Sequence, residues 1–140
     1  MTPAGNGVIQ RKLALLDSQV LRLREHMAGM SIEPFRENWA VRAVAERTLQ
    51  VCAEIMIDVA ERLLALADAG PAATAAEAIE KLVQLGILTQ AEPYRSMVRM
   101  RNIIVHGYED VDPEILYQAA TEGLADFRRF RDEVDWATRA

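Results

Sequence analysis

The sequence predicts an all-α protein, an antiparallel bundle of about five helices, for three reasons. Apolar residues recur at steps of three and four along most of the chain, as they do on one face of a helix. The 7 glycines and 5 prolines cluster between these apolar runs and so separate the helices. With 51% hydrophobic residues, a chain of 140 can bury a core as one domain. We expect this domain to span residues 8–135, between tails at 1–7 and 136–140.

The first two predicted helices are the longest. The first spans about residues 8–29, and its apolar seam alternates steps of four and three through Ile9, Leu13, Leu16, Val20, Leu23, Met27 and Met30. The second spans about residues 35–69 and stops at Gly70-Pro71. Its apolar positions are Val41, Val44, Thr48, Cys52, Ile55, Val59, Leu63 and Leu66. A rod of roughly 50 Å must pack along the length of its neighbours, which indicates an antiparallel bundle.

Three shorter helices follow. The third starts at Thr74, where residues 74–77 have the pattern of a capping box. The fourth starts at Pro93, and Gly107 is expected to end it in the left-handed conformation. Its inward-facing positions are Met97, Val98, Ile104 and Val105. Asp112-Pro113-Glu114 starts the fifth with an N-cap, a first-turn proline and an acid, and this helix is expected to continue past Phe127.

The charge of the chain is unevenly distributed. The formal net charge of -5 by itself argues against a nucleic-acid partner, because a negative field repels phosphate. Residues 93–108, however, contain Arg95, Arg99 and Arg101 and no acid. We therefore expect a locally positive patch here, in which Arg95 and Arg99 contact an anionic substrate.

Several functional classes are not favoured by the sequence. The single cysteine, Cys52, lies on an apolar face, which predicts an inert buried thiol and no intrachain disulfide. No Gly-rich phosphate loop and no spacing of His, Asp and Glu suited to a metal is present, so no metal and no cofactor are expected. No signal peptide and no membrane-spanning apolar run are visible, and we expect a cytoplasmic protein.

Residues 101–108 carry the side chains best suited to polar chemistry. Asn102 and His106 are four residues apart and share a helix face, whereas Arg101 and His106 point roughly 140° apart on an ideal helix. Two arrangements would bring Arg101 and His106 together. Either the helix unwinds near Gly107, or a symmetric dimer pairs the motifs of two copies in one cleft.

These side chains suit the cleavage of RNA, whose 2′-OH is its own nucleophile. His106 can act as base or acid near neutral pH, and Arg101 can bind phosphate oxygens in a bidentate manner. Asn102 can orient the imidazole, and Tyr108 can stack on a base or donate to phosphate. A purely structural interpretation also stays open, because Arg and His are favourable near a helix C-terminus through the helix dipole alone.

Residues 101–108 resemble the R-x-x-x-x-H-x-Y motif of HepT-like proteins in the HEPN superfamily, with Asn directly after the Arg. The resemblance extends over residues 8–135. Residues 46–50, followed by Glu54 and Asp58, resemble the long second helix of that family. Residues 85–88 and 112–116, which flank the motif, are also similar to the family.

The resemblance implies a HEPN-like bundle that forms a homodimer with its motifs at the interface. It implies the toxin of a type VII-like toxin–antitoxin system, a metal-independent ribonuclease acting on cellular RNA such as tRNA. Arg101 and His106 would be catalytic, with Asn102 and Glu46 in support. The partner would be an MNT-type nucleotidyltransferase antitoxin that transfers AMP to Tyr108, adding bulk and negative charge beside the site.

A second hypothesis uses the same cleft without catalysis. In it, the chain is a helical module that binds and regulates a partner nucleotidyltransferase, or binds a nucleotide. Toxicity on expression separates the two hypotheses, since a harmless protein with an unmodified Tyr108 would favour the binding role.

Overall fold

A computed structural model describes residues 6–107 and 111–139, and in these residues the chain forms seven α-helices and no strand. They are α1 (Asn6–Met27), α2 (Ile32–Glu37), α3 (Trp39–Leu66), α4 (Ala75–Gln84), α5 (Tyr94–His106), α6 (Pro113–Ala120) and α7 (Leu124–Ala137). The predicted all-α class is confirmed. The number of helices is larger than predicted because two of the expected helices are each divided in two.

The expected second helix is divided at Asn38. This residue adopts an extended backbone (φ -106, ψ 96), and its side chain accepts a hydrogen bond from the Val41 amide at 3.1 Å. Asn38 therefore ends α2 and caps the N-terminus of α3, a position that asparagine favours. Between the two helices, the Arg42 guanidinium donates to the carbonyl of Phe35 at 3.4 Å and to that of Arg36. These bonds satisfy carbonyls that the end of α2 leaves unpaired.

The expected fifth helix is divided at residues 121–123. The Thr121 hydroxyl donates to the carbonyl of Tyr117 at 2.7 Å, and the chain then turns through Gly123. A Cβ at position 123 would lie 2.7 Å from the Ala119 carbonyl oxygen, so only glycine allows this close approach. The turn lets α7 pack back along α1, where Arg131 Nε donates to Asp17 Oδ2 at 3.0 Å.

Helix α3 is the centre of the bundle, because all six other helices contact it. Against it packs the seam of α1, which is buried from Ile9 to Met27 as predicted. The buried face of α3 differs from the predicted stripe: Val44 and Leu66 are exposed, while Ala45, Leu49 and Met56 are fully buried. A helix with neighbours on several sides buries more than one stripe in its middle, and fewer positions at its ends.

Contacts at the start of the helix that carries the motif, and beyond its end, fix its place in the bundle. At its start, the ring of Tyr94 packs edge-on against Phe130 of α7 with centroids 5.4 Å apart. Beyond its end, α6 is held against the first part of the chain, since Tyr117 Oη donates to the Met30 carbonyl at 2.7 Å and Glu114 pairs with Arg36. Helix α5 therefore ends near the end of the bundle where α3 begins.

Two further observations concern the reactivity of the Cys52 thiol and the search for membrane-spanning helices. Burial raises the pKa of the Cys52 thiol from 9.0 to about 12, which agrees with an inert core residue. Within residues 6–107 and 111–139, no helix is both long and apolar enough to cross a membrane.

Candidate active site

The last part of α5, residues 101–106, lies mostly at the surface of the bundle and is called the motif end below. The buried residues of α5 all lie earlier, at Tyr94, Met97 and Val98. In the motif end, Ile103 is 54% exposed and Val105 42%. Ile104 packs against the core as predicted, but the inward-facing prediction for Val105 is wrong, because the buried face of α5 narrows toward the end of the helix. The result is an apolar surface within the polar motif.

Arg101 is the most unusual side chain of the motif end. It is half-buried, and its Nε atom is buried without a hydrogen-bond partner. Its guanidinium forms no ion pair with any residue that the structure describes. An unsatisfied buried donor costs about 1–3 kcal/mol, and in native proteins such a group often marks a functional site. Arg101 is therefore available to an anionic ligand.

His106 and Asn102 are both exposed, and His106 is the last residue of α5. The predicted left-handed conformation of Gly107 is wrong, because its backbone is extended (φ -74, ψ 135) and its amide donates to the Ile103 carbonyl at 2.7 Å. The helix thus stays regular through His106, so of the two arrangements considered from the sequence, unwinding of the helix does not bring Arg101 and His106 together. Arg101 and His106 of one chain remain roughly 140° apart around the helix axis.

The structure brings acidic partners to two of the three arginines in this region. Arg95 pairs with Glu80 of α4 at 3.3 Å, and Arg99 pairs with Glu92 at 3.5 Å. The positive stretch inferred from residues 93–108 is therefore partly neutralised by carboxylates from outside it. Exposed pairs of this kind contribute at most about 1 kcal/mol, so phosphate groups can replace the carboxylates.

Among the acids of α3, Glu46 stands out. Glu54 accepts a hydrogen bond from Gln50 at 3.0 Å, and Asp58 pairs with Lys12 and with Arg62. Glu46 is half-buried and has no ion pair within the described residues. It lies in the first third of α3, at the end of the bundle toward which α5 runs. Its predicted supporting role remains a prediction.

Tyr108, the expected modification site, lies outside the described residues. Within those residues, no group of three or more His, Cys, Asp or Glu is arranged to hold a metal ion.

One anchoring contact was not predicted from the sequence. The Glu133 carboxylate of α7 accepts hydrogen bonds from the Thr89 amide at 3.0 Å, from the Thr89 hydroxyl at 2.6 Å and from the buried Tyr94 hydroxyl. These bonds hold the start of α5 and the loop before it against α7. No local pattern indicates them, because the partners are 39 and 44 residues apart in sequence.

Comparisons with known proteins agree with this fold and motif. Residues 16–134 match the family model described as "Ribonuclease HepT-like". This match covers most of the chain, and the chain therefore belongs to the HepT-like ribonuclease family.

Two relatives and one solved structure illustrate the family. The chain is 25% identical over 131 residues to the mRNA nuclease HepT of Shewanella oneidensis, covering 92% of this chain and 97% of the relative. It is 25% identical over 130 residues to the tRNA nuclease HepT of Aphanizomenon flos-aquae, covering 91% and 88%. The tri-AMPylated Shewanella oneidensis HEPN toxin, solved in complex with MNT antitoxin, has a TM-score of 0.85 at 24% identity, covering 92% of this chain and 97% of the toxin. That likeness shows that the fold is HEPN-like.

Proposed function

We propose that this chain is the ribonuclease toxin of a type VII-like HEPN/MNT toxin–antitoxin pair, and that it cleaves RNA without a metal. The observation that carries the proposal is the motif end, where Arg101 has no partner within the described residues and His106 stands in solvent. Membership of the HepT-like ribonuclease family supports the reaction class. The names of the two relatives, an mRNA nuclease and a tRNA nuclease, support an RNA substrate.

The reaction needs one proton acceptor, one proton donor and one fixed cation. A neutral His106 imidazole takes the proton of the ribose 2′-OH while that oxygen attacks phosphorus. The same imidazole, now protonated, gives this proton to the departing 5′-oxygen. The products are a 2′,3′-cyclic phosphate and a free 5′-OH, and the protons balance. Arg101 binds the non-bridging oxygens and stabilises the negative charge that develops on them.

The other predicted site residues have supporting roles in this proposal. Asn102 lies one turn before His106 on the same face, where its amide can orient the imidazole or hold a phosphate oxygen. Glu46 orients a cationic side chain in the cleft. Arg95 and Arg99 exchange their exposed carboxylate partners for phosphates that flank the cleaved bond.

The geometry of α5 supports a homodimer. Because α5 stays helical through His106, the Arg101 and His106 side chains of one chain leave the helix in directions roughly 140° apart. A second copy related by a two-fold axis supplies the missing side chain. The exposed Ile103 and Val105 lie between the two polar residues in sequence and provide apolar surface for that contact.

Mixing two inactive variants tests the shared site. An Arg101→Ala copy keeps His106, and a His106→Ala copy keeps Arg101, so a mixed dimer regains one complete site of two. Random pairing would restore roughly a quarter of wild-type cleavage in an equimolar mixture. If the mixture stays inactive although native mass spectrometry detects mixed dimers, the shared-site geometry is wrong.

Cleavage itself is tested with purified protein, total tRNA and mRNA in the presence of EDTA. We expect cleavage with cyclic phosphate ends, and its loss on His106→Ala. The matched control is His26→Ala, since the only other histidine of the chain lies on α1 and bonds to the Val41 carbonyl at 3.2 Å. A requirement for a divalent metal, or full activity of His106→Ala, would contradict the mechanism. An inert wild type that still binds a nucleotidyltransferase would favour the non-catalytic module.

Regulation by an MNT-type nucleotidyltransferase completes the proposal. The partner transfers AMP to Tyr108, and the added phosphate repels RNA from the cleft. The AMPylated HEPN toxin of similar fold supports this. After co-expression with the partner, intact-protein mass spectrometry should show AMP on the wild type and on Tyr117→Phe. AMP should be absent from Tyr108→Phe, and AMP that persists on this variant would exclude Tyr108 as the acceptor.

A further inference from the structure

A groove of about 420 Å³ runs between α1 and α7, and none of the residues that line it belongs to the motif end. Its walls include Leu21 and Arg24 of α1 and Arg128 and Arg131 of α7. Among the described residues, those that line it belong to α1, to Thr121 and to α7, and none belongs to α5. The groove is thus a separate feature that the proposed cleavage mechanism does not use.

The arginines of the groove are of two kinds. Arg131 is held in place, since Nε donates to Asp17 at 3.0 Å and one terminal nitrogen donates to Asp132 at 2.7 Å. Arg24 and Arg128 are exposed and form no ion pair with any residue that the structure describes. With three arginines and two aspartates, the lining carries a net charge of +1 on a chain of net charge -5. Two guanidinium groups therefore remain free to bind an anion.

We propose that this groove is a second RNA-binding site, which holds backbone phosphates of the substrate outside the cleaved bond. The proposal rests on the ribonuclease function proposed above. Arginine binds phosphate oxygens in a bidentate manner, and Arg24 and Arg128 present this group from the two walls of the groove. None of the described residues that line the groove is aromatic, so they offer no platform for stacking a base. It therefore recognises the backbone and not the sequence.

An RNA backbone fits the groove better than a helix from a partner protein. A docked helix needs several apolar pockets for its anchor residues. In this groove, Val20 and Leu124 are already buried in the core, and among the described lining residues Leu21, at 54% exposure, is the one large apolar side chain that is still exposed. Little apolar area is left for a helix to cover, whereas the guanidinium groups of Arg24 and Arg128 are exposed to solvent.

The position of the groove determines which substrates depend on it. Helices α1 and α5 each pack against α3, and α7 connects the groove to the start of α5 through Phe130 and Tyr94. Only an RNA that extends across the surface of the bundle can occupy the groove and the motif end together. A dinucleotide can fill the motif end alone. Substitution of Arg24 and Arg128 should therefore weaken the binding of long RNA and leave the cleavage of the shortest substrates unchanged.

The chain supplies a matched set of variants for the binding test. The groove pair combines Arg24→Gln with Arg128→Gln. The control pair combines Arg22→Gln with Arg129→Gln, which removes the same charge from exposed arginines on the same helices that do not line the groove. Both pairs are made in a His106→Ala background so that the RNA stays intact. Binding of tRNA is measured by fluorescence anisotropy over a range of salt concentrations, and thermal unfolding confirms that each variant folds.

We expect the groove pair to bind tRNA about tenfold more weakly, and the slope of log K against log salt to fall by about 1.5, as for the loss of two phosphate contacts. The control pair should stay within about twofold of the parent, because it keeps both contacts. With His106 intact, the groove pair should raise KM for tRNA and leave both kcat and dinucleotide cleavage unchanged.

Three outcomes would overturn the groove proposal. Equal weakening by both pairs would mean that net charge matters and the groove does not. Equal weakening of dinucleotide and tRNA cleavage would place the effect at the motif end. Loss of binding to the nucleotidyltransferase partner, with RNA binding unchanged, would make the groove a protein-docking site. A wild type that binds tRNA through Arg24 and Arg128 but never cleaves it would instead refute the proposed function and leave the groove proposal standing.

Discussion

The hydrogen bond between Tyr94 and Glu133 anchors the start of the motif helix, and removing it should lower the stability of the whole bundle. The substitution Tyr94→Phe deletes one hydroxyl from a fully buried ring and keeps the edge-on contact with Phe130. It leaves the Glu133 carboxylate with the two bonds from Thr89. The perturbation is therefore confined to a single bond to an ionised acceptor.

The expected loss of stability depends on the charge of the hydrogen-bond acceptor, the Glu133 carboxylate. A hydrogen bond to a charged group contributes about 1.5–3 kcal/mol, and the remaining bonds from Thr89 favour the lower half of that range. We therefore expect a loss of about 2 kcal/mol in the free energy of unfolding. For a chain of this length, with an entropy of unfolding of about 2.1 cal/mol/K per residue, that corresponds to a fall in Tm of about 7 °C.

The effect should also depend on pH. Burial raises the pKa of Glu133, but the hydrogen bonds from Thr89 and Tyr94 outweigh it, so the pKa lies below its ordinary value of 4.5. A carboxyl group whose pKa is lowered in the folded state stabilises the folded protein, and its full contribution is present at pH values above the pKa of the unfolded state. That stabilisation is lost as the pH falls through the folded pKa. The difference between wild type and Tyr94→Phe should thus be largest at neutral pH and shrink below the ordinary pKa of glutamate.

Urea unfolding followed by circular dichroism, at neutral and at acidic pH, measures both parts of this prediction. Tyr117→Phe is the control, because Tyr117 donates to a neutral acceptor, the Met30 carbonyl, at 2.7 Å. It should cost about 1 kcal/mol at both pH values. A Tyr94→Phe protein as stable as wild type at neutral pH, or a difference that does not change on acidification, would refute the reasoning.

Three further substitutions test the core, the turn and the site. Leu16→Ala, at a fully buried position, should lower the free energy of unfolding by about 3 kcal/mol in urea titrations, and a loss under 1 kcal/mol would show that α1 is loosely packed. Gly123→Ala should lower Tm through a cost of about 1–3 kcal/mol, because the new Cβ meets the backbone of Ala119; an unchanged Tm would contradict the tight turn. Arg101→Lys should reduce RNA cleavage about 100-fold at unchanged Tm, since lysine lacks the bidentate fork, and full activity would remove Arg101 from the mechanism.

Features with a local cause were predicted well from the sequence. The seam of α1 was predicted residue by residue from Ile9 to Met27, because helical periodicity alone decides which face can be buried. The start of α4 was predicted as well, and the Thr74 hydroxyl accepts a bond from the Glu77 amide at 3.1 Å. The start of α6 at Pro113, capped by Asp112, was also predicted. In each case the interacting residues lie within a few positions of one another.

Features that depend on distant contacts were missed. The break at Asn38 was absorbed into one long predicted helix, although asparagine is a good N-cap, because its neighbours are compatible with helix. The break at Gly123 depends on how α7 packs back along α1, and a single glycine does not indicate that. The exposure of Val105 was missed because periodicity predicts a face and does not show where the neighbouring helices end.

The amino-acid sequence by itself determined the all-α class, the HepT-like motif and the identity of the candidate site residues, because these depend on spacing along the chain. Only the tertiary structure decided which charges are free. It pairs Arg95 with Glu80 and Arg99 with Glu92, leaves Arg101 without a partner in the described residues, and keeps α5 helical through His106. Ion pairs and helix packing join residues far apart in sequence, and no local pattern shows which partners will meet.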